Sequence, residues 1–237
     1  MSIISPIDLR IPHGPTLHID QNNIIKLVLA ALTSIPALIA IAAGIVELDD
    51  DGLNLPITIN QGDRVRVPGA ATCTIGYVDA ANRTAYTAGH CTKNDDDVAM
   101  STTKIMFGDI NFDDNDSAAG RDIATITLSD NVRIGKNSYS GDTVLTEEDI
   151  RALAQRDDVR VCNYGMRSKT VYCQNISHTD STYLYGEGDP SKHGDSGGPA
   201  WLIDADGNSL GLAGVLSATS AKYTLYTIIP DRFHNPR

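Results

Sequence analysis

Hydrophobic and polar positions divide the chain into two textures. Residues 27–46, LVLAALTSIPALIAIAAGIV, are apolar or small, interrupted only by Thr33, Ser34 and Pro36. A run of this length with no polar face reads as a helix able to cross a bilayer rather than as a buried helix of the folded domain. Lys26 precedes it and the acidic ELDDD, Glu47 to Asp51, follows it. That bias places the N-terminal side in the cytoplasm and the rest of the chain outside. The pattern divides the chain into a polar N-terminal segment (1–22), a signal peptide or membrane anchor (23–46) and a folded domain (47–237). Ala40-Ile41-Ala42 and Ala42-Ala43-Gly44 offer the small residues that a signal peptidase needs, whereas the long stretch before Lys26 suits an anchor. Both readings stay open, and both make the protein secreted or membrane-anchored outside the cytoplasm.

Beyond Leu53 the pattern changes to short runs rich in β-formers between turn residues. LPITI, RVRVPG, TCTIGYVD, RTAYTAG, IATITL, VRVCNYG, TVYCQNI, TYLYG, PAWLI, LGLAGVLSA and YTLYTII each read as a strand. Such regular spacing predicts an all-β sandwich or a pair of barrels. TEEDIRALAQRDD breaks the pattern, with Thr146 and Asp149 forming a capping-box start to one short helix. The acidic groups Asp95 to Asp97 and Asp113, Asp114 and Asp116 lack the spacing of a calcium loop and read as solvated loop tips.

Composition narrows the function classes. A formal net charge of −11 argues against a nucleic-acid partner, because phosphates would be repelled. The four cysteines, Cys73, Cys91, Cys162 and Cys173, are even in number with no C-x-x-C pair, which fits two disulfides better than a metal site. Neither a metal nor another cofactor is expected. Disulfides in turn fit an oxidising compartment.

The candidate chemistry centres on HGDSGGP, residues 193–199. A serine hydroxyl is a weak nucleophile and needs an adjacent base held by a third group. His90, in TAGHC, is a suitable base, since a disulfide at Cys91 would steady the imidazole. Asp122 begins RDIATITL, where the following alternating strand would bury its carboxylate; it can then accept the imidazole's second N–H. Gly194 permits a turn that points amides inward, so that the N–H groups of Gly194 and Ser196 form an oxyanion hole. Gly197 and Gly198 leave room for a substrate backbone.

TAGHC, DIATI and GDSGGP, in this order, resemble the chymotrypsin-like serine proteases, the trypsin-fold superfamily, over about Leu53 to Pro230. The resemblance implies two six-stranded antiparallel β-barrels with the short helix inserted, preceded here by the N-terminal hydrophobic helix. It implies a serine endopeptidase acting on protein or peptide substrates through an acyl-enzyme. His90 is then the general base, Asp122 its orienter and Ser196 the nucleophile. The alternative is a non-catalytic homologue using the same fold as a binding module. Membrane contact is expected only through residues 23–46, if they are retained.

VCNYGMRSKTVYC is similar to the cysteine hairpin of the bacterial streptogrisin and α-lytic branch. That likeness implies the pairs Cys73–Cys91 and Cys162–Cys173. In that branch an arginine after the first hairpin cysteine pairs with the acid before the nucleophile. Here Asn163 stands there, which leaves the partner of Asp195 open, with Arg160 and Arg167 as candidates; Ile45-Val46 reads as the end of the apolar run rather than as a new N-terminus serving that acid. The specificity pocket is expected from Pro190, His193, Ser217, Ala218 and Thr219. Pro190 at its base and Thr219 at its mouth favour a small or medium apolar residue before the cut; the alternative is Arg or Lys, with Glu187 or Asp189 reaching the pocket.

Overall fold

Each strand expected from the alternation is present in the computed structural model, which describes residues 47–49, 52–54 and 57–231 apart from 70, 93–96, 102–105, 113–119 and 189. In chain order the elements are β1 (Glu47–Asp49), β2 (Gly52–Asn54), β3 (Thr58–Ile59), β4 (Arg64–Arg66), β5 (Thr72–Thr74), β6 (Tyr77–Asp79), β7 (Thr84–Thr87), β8 (Asp97–Met100), β9 (Met106–Phe112), β10 (Ala124–Leu128) and β11 (Arg133–Ile134). The helix α1 (Glu147–Leu153) follows, then β12 (Arg160–Gly165), β13 (Thr170–Thr179), β14 (Tyr183–Glu187), β15 (Pro199–Ile203), β16 (Ser209–Thr219) and β17 (Tyr223–Ile228). The apolar run 27–46, its signal or anchor reading and the helix expected there lie outside the described residues, as do Asp113, Asp114 and Asp116. No helix among the described residues is long and apolar enough to cross a membrane.

The second half closes as a six-stranded antiparallel barrel in the order β12-β13-β14-β17-β16-β15. The first half departs from the expected closed six-stranded barrel. It is a seven-stranded sheet, β5-β4-β8-β9-β10-β7-β6. Its two outermost strands, β5 and β6, are consecutive in the chain and separated only by Ile75 and Gly76, so the sheet curls until its edges meet at a bend. Gly76 stands at that bend because a Cβ there would collide with the Val215 side chain of the barrel. β8 and β9 were not legible as strands, and Asp97, expected in a loop tip, begins β8.

Alternation sets the registers. β10 turns Ala124, Ile126 and Leu128 inward and Thr125 and Thr127 outward. A one-residue slip would expose the aliphatic set, each large member of which contributes about 1.5–3 kcal/mol by burial. All five residues of β15 are buried, because Ala200 and Leu202 face the barrel interior while Trp201 and Ile203 pack with Cys162 on the outside. A third apolar cluster, containing Tyr77, Tyr86, Ile123, Leu212, Val215 and Ile229, joins the halves.

The helix begins at the predicted capping box. Thr146 Oγ1 accepts the Asp149 N–H at 3.1 Å, and the Asp149 carboxylate accepts the Thr146 N–H at 3.3 Å. Both expected disulfides form. Cys73–Cys91 ties β5 to the turn after β7, and Cys162–Cys173 links directly opposed residues of β12 and β13. They close loops of 18 and 11 residues, each worth about 3 kcal/mol if the constraint acts through chain entropy.

Candidate active site

His90 sits in a single helical turn, Gly89–Cys91, directly after β7. The bridge from Cys91 to Cys73 anchors that turn. Asp122 precedes β10, which pairs with β7, so the sheet register brings the two residues together. One carboxylate oxygen of Asp122 accepts the His90 backbone N–H at 2.6 Å. The other lies 2.7 Å from His90 Nδ1 and accepts the Ser217 hydroxyl at 2.6 Å. A carboxylate can only accept, so Nδ1 carries the proton and Nε2 of the neutral ring is left bare.

The electrostatics follow from this geometry. The hydrogen bond to Asp122 raises the His90 pKa above its ordinary value; partial burial opposes the rise and the Asp122 charge adds to it. Burial pushes Asp122 upward, but its bonds to His90 and Ser217 and the His90 charge outweigh that and hold it below the usual carboxylate range. The imidazolium is therefore the favoured partner of this carboxylate.

Ser196 lies in the loop before β15. Gly194 and Gly197 have φ of +102° and +80°, conformations open to glycine at little cost. A Cβ on Gly197 would strike Thr87 Oγ1, and one on Gly198 would strike the Tyr164 carbonyl. Nearby amides are committed: Asp195 N–H to Lys192 O, Gly197 N–H to Leu216 O and Gly198 N–H to Asp195 O. Among the described residues, the N–H groups of Gly194 and Ser196 find no acceptor in the protein.

Asp195 corrects an expectation. Its carboxylate is buried, yet among the described residues no guanidinium meets it. The backbone N–H groups of Arg167 and Ser168 donate to Oδ1 at 2.9 and 2.8 Å, and that of Lys192 donates to Oδ2 at 2.9 Å. Arg167 thus serves through its main chain, and Arg160 plays no part. Asn163, at the position of the expected arginine, instead accepts the Tyr226 hydroxyl at 2.9 Å.

His90, His193, Gly194 and Ser196 line one cleft of about 520 Å³, together with Arg64, Ala71, Thr72, Cys73, Met166 and Arg167. Pro190, Ser217, Ala218 and Thr219 do not line it. Ala218 and Thr219 are exposed at the end of β16, beyond a bulge at 216–218. Pro190 is half-buried, and its neighbour Asp189 lies outside the described residues. Ser217, read from sequence only as a specificity-pocket residue, is buried with its hydroxyl on Asp122.

Thr74 was missed altogether. Its Oγ1 donates to the Gly194 carbonyl at 2.9 Å and its N–H to the Ser196 carbonyl at 2.8 Å, tying the serine loop to β5. Nothing in the sequence around Thr74 signals this. Cys73, His90 and Cys91 offer ligand atoms within 4.8 Å of one another, but both sulfurs are consumed by the disulfide.

No protein-family model matches the sequence. The chain is similar to "Uncharacterized protein MT1863" of Mycobacterium tuberculosis (strain CDC 1551 / Oshkosh), 29% identical over 178 residues covering 69% of this chain and 75% of that protein. It is 28% identical, over the same shares, to "Uncharacterized protein Rv1815" of strain H37Rv. Among solved structures, chymotrypsin of Cellulomonas bogoriensis superposes with a TM-score of 0.52 at 19% identity, over 75% of this chain and 94% of that one. Protease A of Thermobifida fusca gives a TM-score of 0.51 at 20% identity, over 75% and 95%. At such identities the likeness is one of fold, and that fold is the trypsin-like fold of the bacterial chymotrypsin-like serine proteases.

Proposed function

We propose that this protein is a serine endopeptidase. The observation that carries the reading is the hydrogen bond of 2.7 Å between Asp122 and His90, whose ring lies on the wall of the same cleft as Ser196. In this mechanism the bare Nε2 of His90 takes the Ser196 proton as Oγ attacks the scissile carbonyl. Asp122 keeps the ring in the required tautomer and stabilises the imidazolium that forms. The developing oxyanion accepts from the N–H groups of Gly194 and Ser196, a contribution of about 2.7–4 kcal/mol per donor in comparable sites. His90 then protonates the leaving amine, and a water activated by the same base releases the acyl group from Ser196.

The curled seven-stranded sheet supports the reading as the counterpart of the first barrel, with β5 and β6 as one strand bent at Gly76. The two disulfides fit a protein working in an oxidising compartment outside the cytoplasm. Its partners are then protein or peptide substrates.

The test is labelling with a fluorophosphonate probe together with cleavage of a peptide library. Labelling that is lost in Ser196→Ala, with single and double Ser196→Ala and His90→Ala variants equally inactive, is the expected result, because members of one catalytic unit do not contribute additively. A folded protein that neither labels nor cleaves would instead be the non-catalytic binding module.

A further inference from the structure

The cleft beside Ser196 has a character that the triad chemistry does not use. Its described walls carry Arg64, Arg167 and His193 and no aspartate or glutamate, in a chain with 30 acidic and 19 basic residues. Arg83, Arg121, Arg151 and Arg156 each find a carboxylate within 4.0 Å, whereas among the described residues Arg64, Arg66, Arg133, Arg160 and Arg167 do not; of these five, Arg64 and Arg167 line the cleft. Among the described residues the buried Nε of Arg64 has no hydrogen-bond partner, and its Nη2 donates to the weakly accepting sulfur of Met166 at 3.7 Å. Arg167 spends its main-chain N–H on Asp195, but its side chain remains at the cleft wall beside Gly194. Two guanidinium groups kept from the protein's own abundant carboxylates are placed to receive a foreign one.

The cleft's position says which part of a substrate would supply it. Of the residues expected to hold the side chain before the cut, Pro190, Ser217, Ala218 and Thr219 do not line the cleft, and only His193 does. The leaving amine departs toward His90, and it is His90, Cys73 and Arg64 that border this space. We propose that the cleft is a leaving-group subsite that selects an aspartate or glutamate within the first two or three residues after the scissile bond. Arg64 is its main anchor, with Arg167 beside it. A guanidinium matches a carboxylate through two parallel N–H bonds, which lysine or a neutral donor does not reproduce. The inference rests on the endopeptidase reading.

Quenched fluorescent peptides provide the test: one shared half before the cut, and Ala, Asp, Glu or Lys in turn at each of the three positions after it. The expected ratio of kcat/KM for the best acidic peptide over its alanine counterpart is about 10- to 100-fold, the scale of one charge-assisted pair. Lysine should fall below alanine, and added salt should shrink the ratio. Arg64→Gln should collapse the ratio, and Arg64→Glu should turn it toward lysine. Arg167→Gln, which keeps the amide that caps Asp195, should lower it in a separately folded variant. A ratio near one, a ratio that Arg64→Gln leaves intact, or an acidic preference confined to positions before the cut would overturn the subsite. If Ser196 labels and peptides are cut, such a failure leaves the endopeptidase reading standing; if neither happens, both fall.

Discussion

Replacing Ser217 by alanine deletes one oxygen, leaves the β16 backbone in place and asks whether Asp122 is held as part of a single unit. Asp122 accepts three hydrogen bonds, from His90 N–H, His90 Nδ1–H and Ser217 O–H. A hydrogen bond to a charged group contributes about 1.5–3 kcal/mol. The Asp122 side chain is 19% exposed, so water can refill part of the loss; we expect a cost of about 1–2 kcal/mol. For a domain of this size that lowers the melting temperature by about 2–8 °C.

The sign with pH can be worked out. Asp122 is held below its ordinary value, so the stability it contributes is present above that value and lost as pH falls through the depressed one. The Ser217→Ala deficit should therefore be full at pH 7 and shrink in acid as Asp122 protonates. With one competing donor gone, the carboxylate acts more strongly on His90, and the acid limb of kcat/KM should move to higher pH. Urea unfolding at several pH values and a kcat/KM profile measure both effects. A variant within about 0.3 kcal/mol of wild type with an unmoved acid limb would refute the coupling, since that is the scatter of independent sites.

Further outcomes concern pH and the glycines. For the wild type, kcat/KM should rise with pH through a value above the ordinary histidine value of about 6.5, because Asp122 raises His90 and only the neutral ring accepts the serine proton; a profile flat from pH 5 to 9 would remove His90 as the base. The same raised value stabilises the fold below the unfolded histidine value and is lost as pH rises through the folded one. Gly197→Ala should cost about 3 kcal/mol or more and abolish fluorophosphonate labelling, since left-handed strain adds to a collision with Thr87 Oγ1. Gly207→Ala, at φ +85° but with nothing within 4 Å, should cost about 1–2 kcal/mol and label normally; equal costs in urea unfolding would refute the steric account.

What the sequence made legible was local. Strands with clean alternation, such as IATITL, were readable because burial on one face forces a period of two. β9, MFGDINF, was not, because Gly108 and Asp109 interrupt the pattern for reasons that lie on its neighbour: a Cβ at Gly108 would collide with the Thr127 carbonyl of β10. The approach of His90 to Asp122, and the shared cleft of His90 and Ser196, were expected because each residue stands in a short run whose residue types fit one chemistry. The contact of Ser217 with Asp122 spans 95 residues and has no local mark. The amides around Asp195 have no side-chain signature at all, which is why a guanidinium was expected where the main chain does the work.

These long-range contacts give the site its dependence on both halves of the fold. Asp122 and His90 belong to the curled sheet, yet the third donor on Asp122 comes from β16 of the barrel. Ser196 belongs to the barrel, yet its carbonyl accepts from Thr74 of β5. The Gly194 carbonyl is likewise held by Thr74 Oγ1, which also accepts the Met166 N–H at 3.1 Å. Neither half could hold its share of the chemistry alone, because each reactive segment has its last hydrogen bond satisfied by the other. The tight glycines lie along the same seam: Gly76 and Gly197 are the points where a single methyl group would push sheet and barrel apart. In the proposed reading the site therefore depends on backbone approach at this junction as much as on the side chains of His90, Asp122 and Ser196.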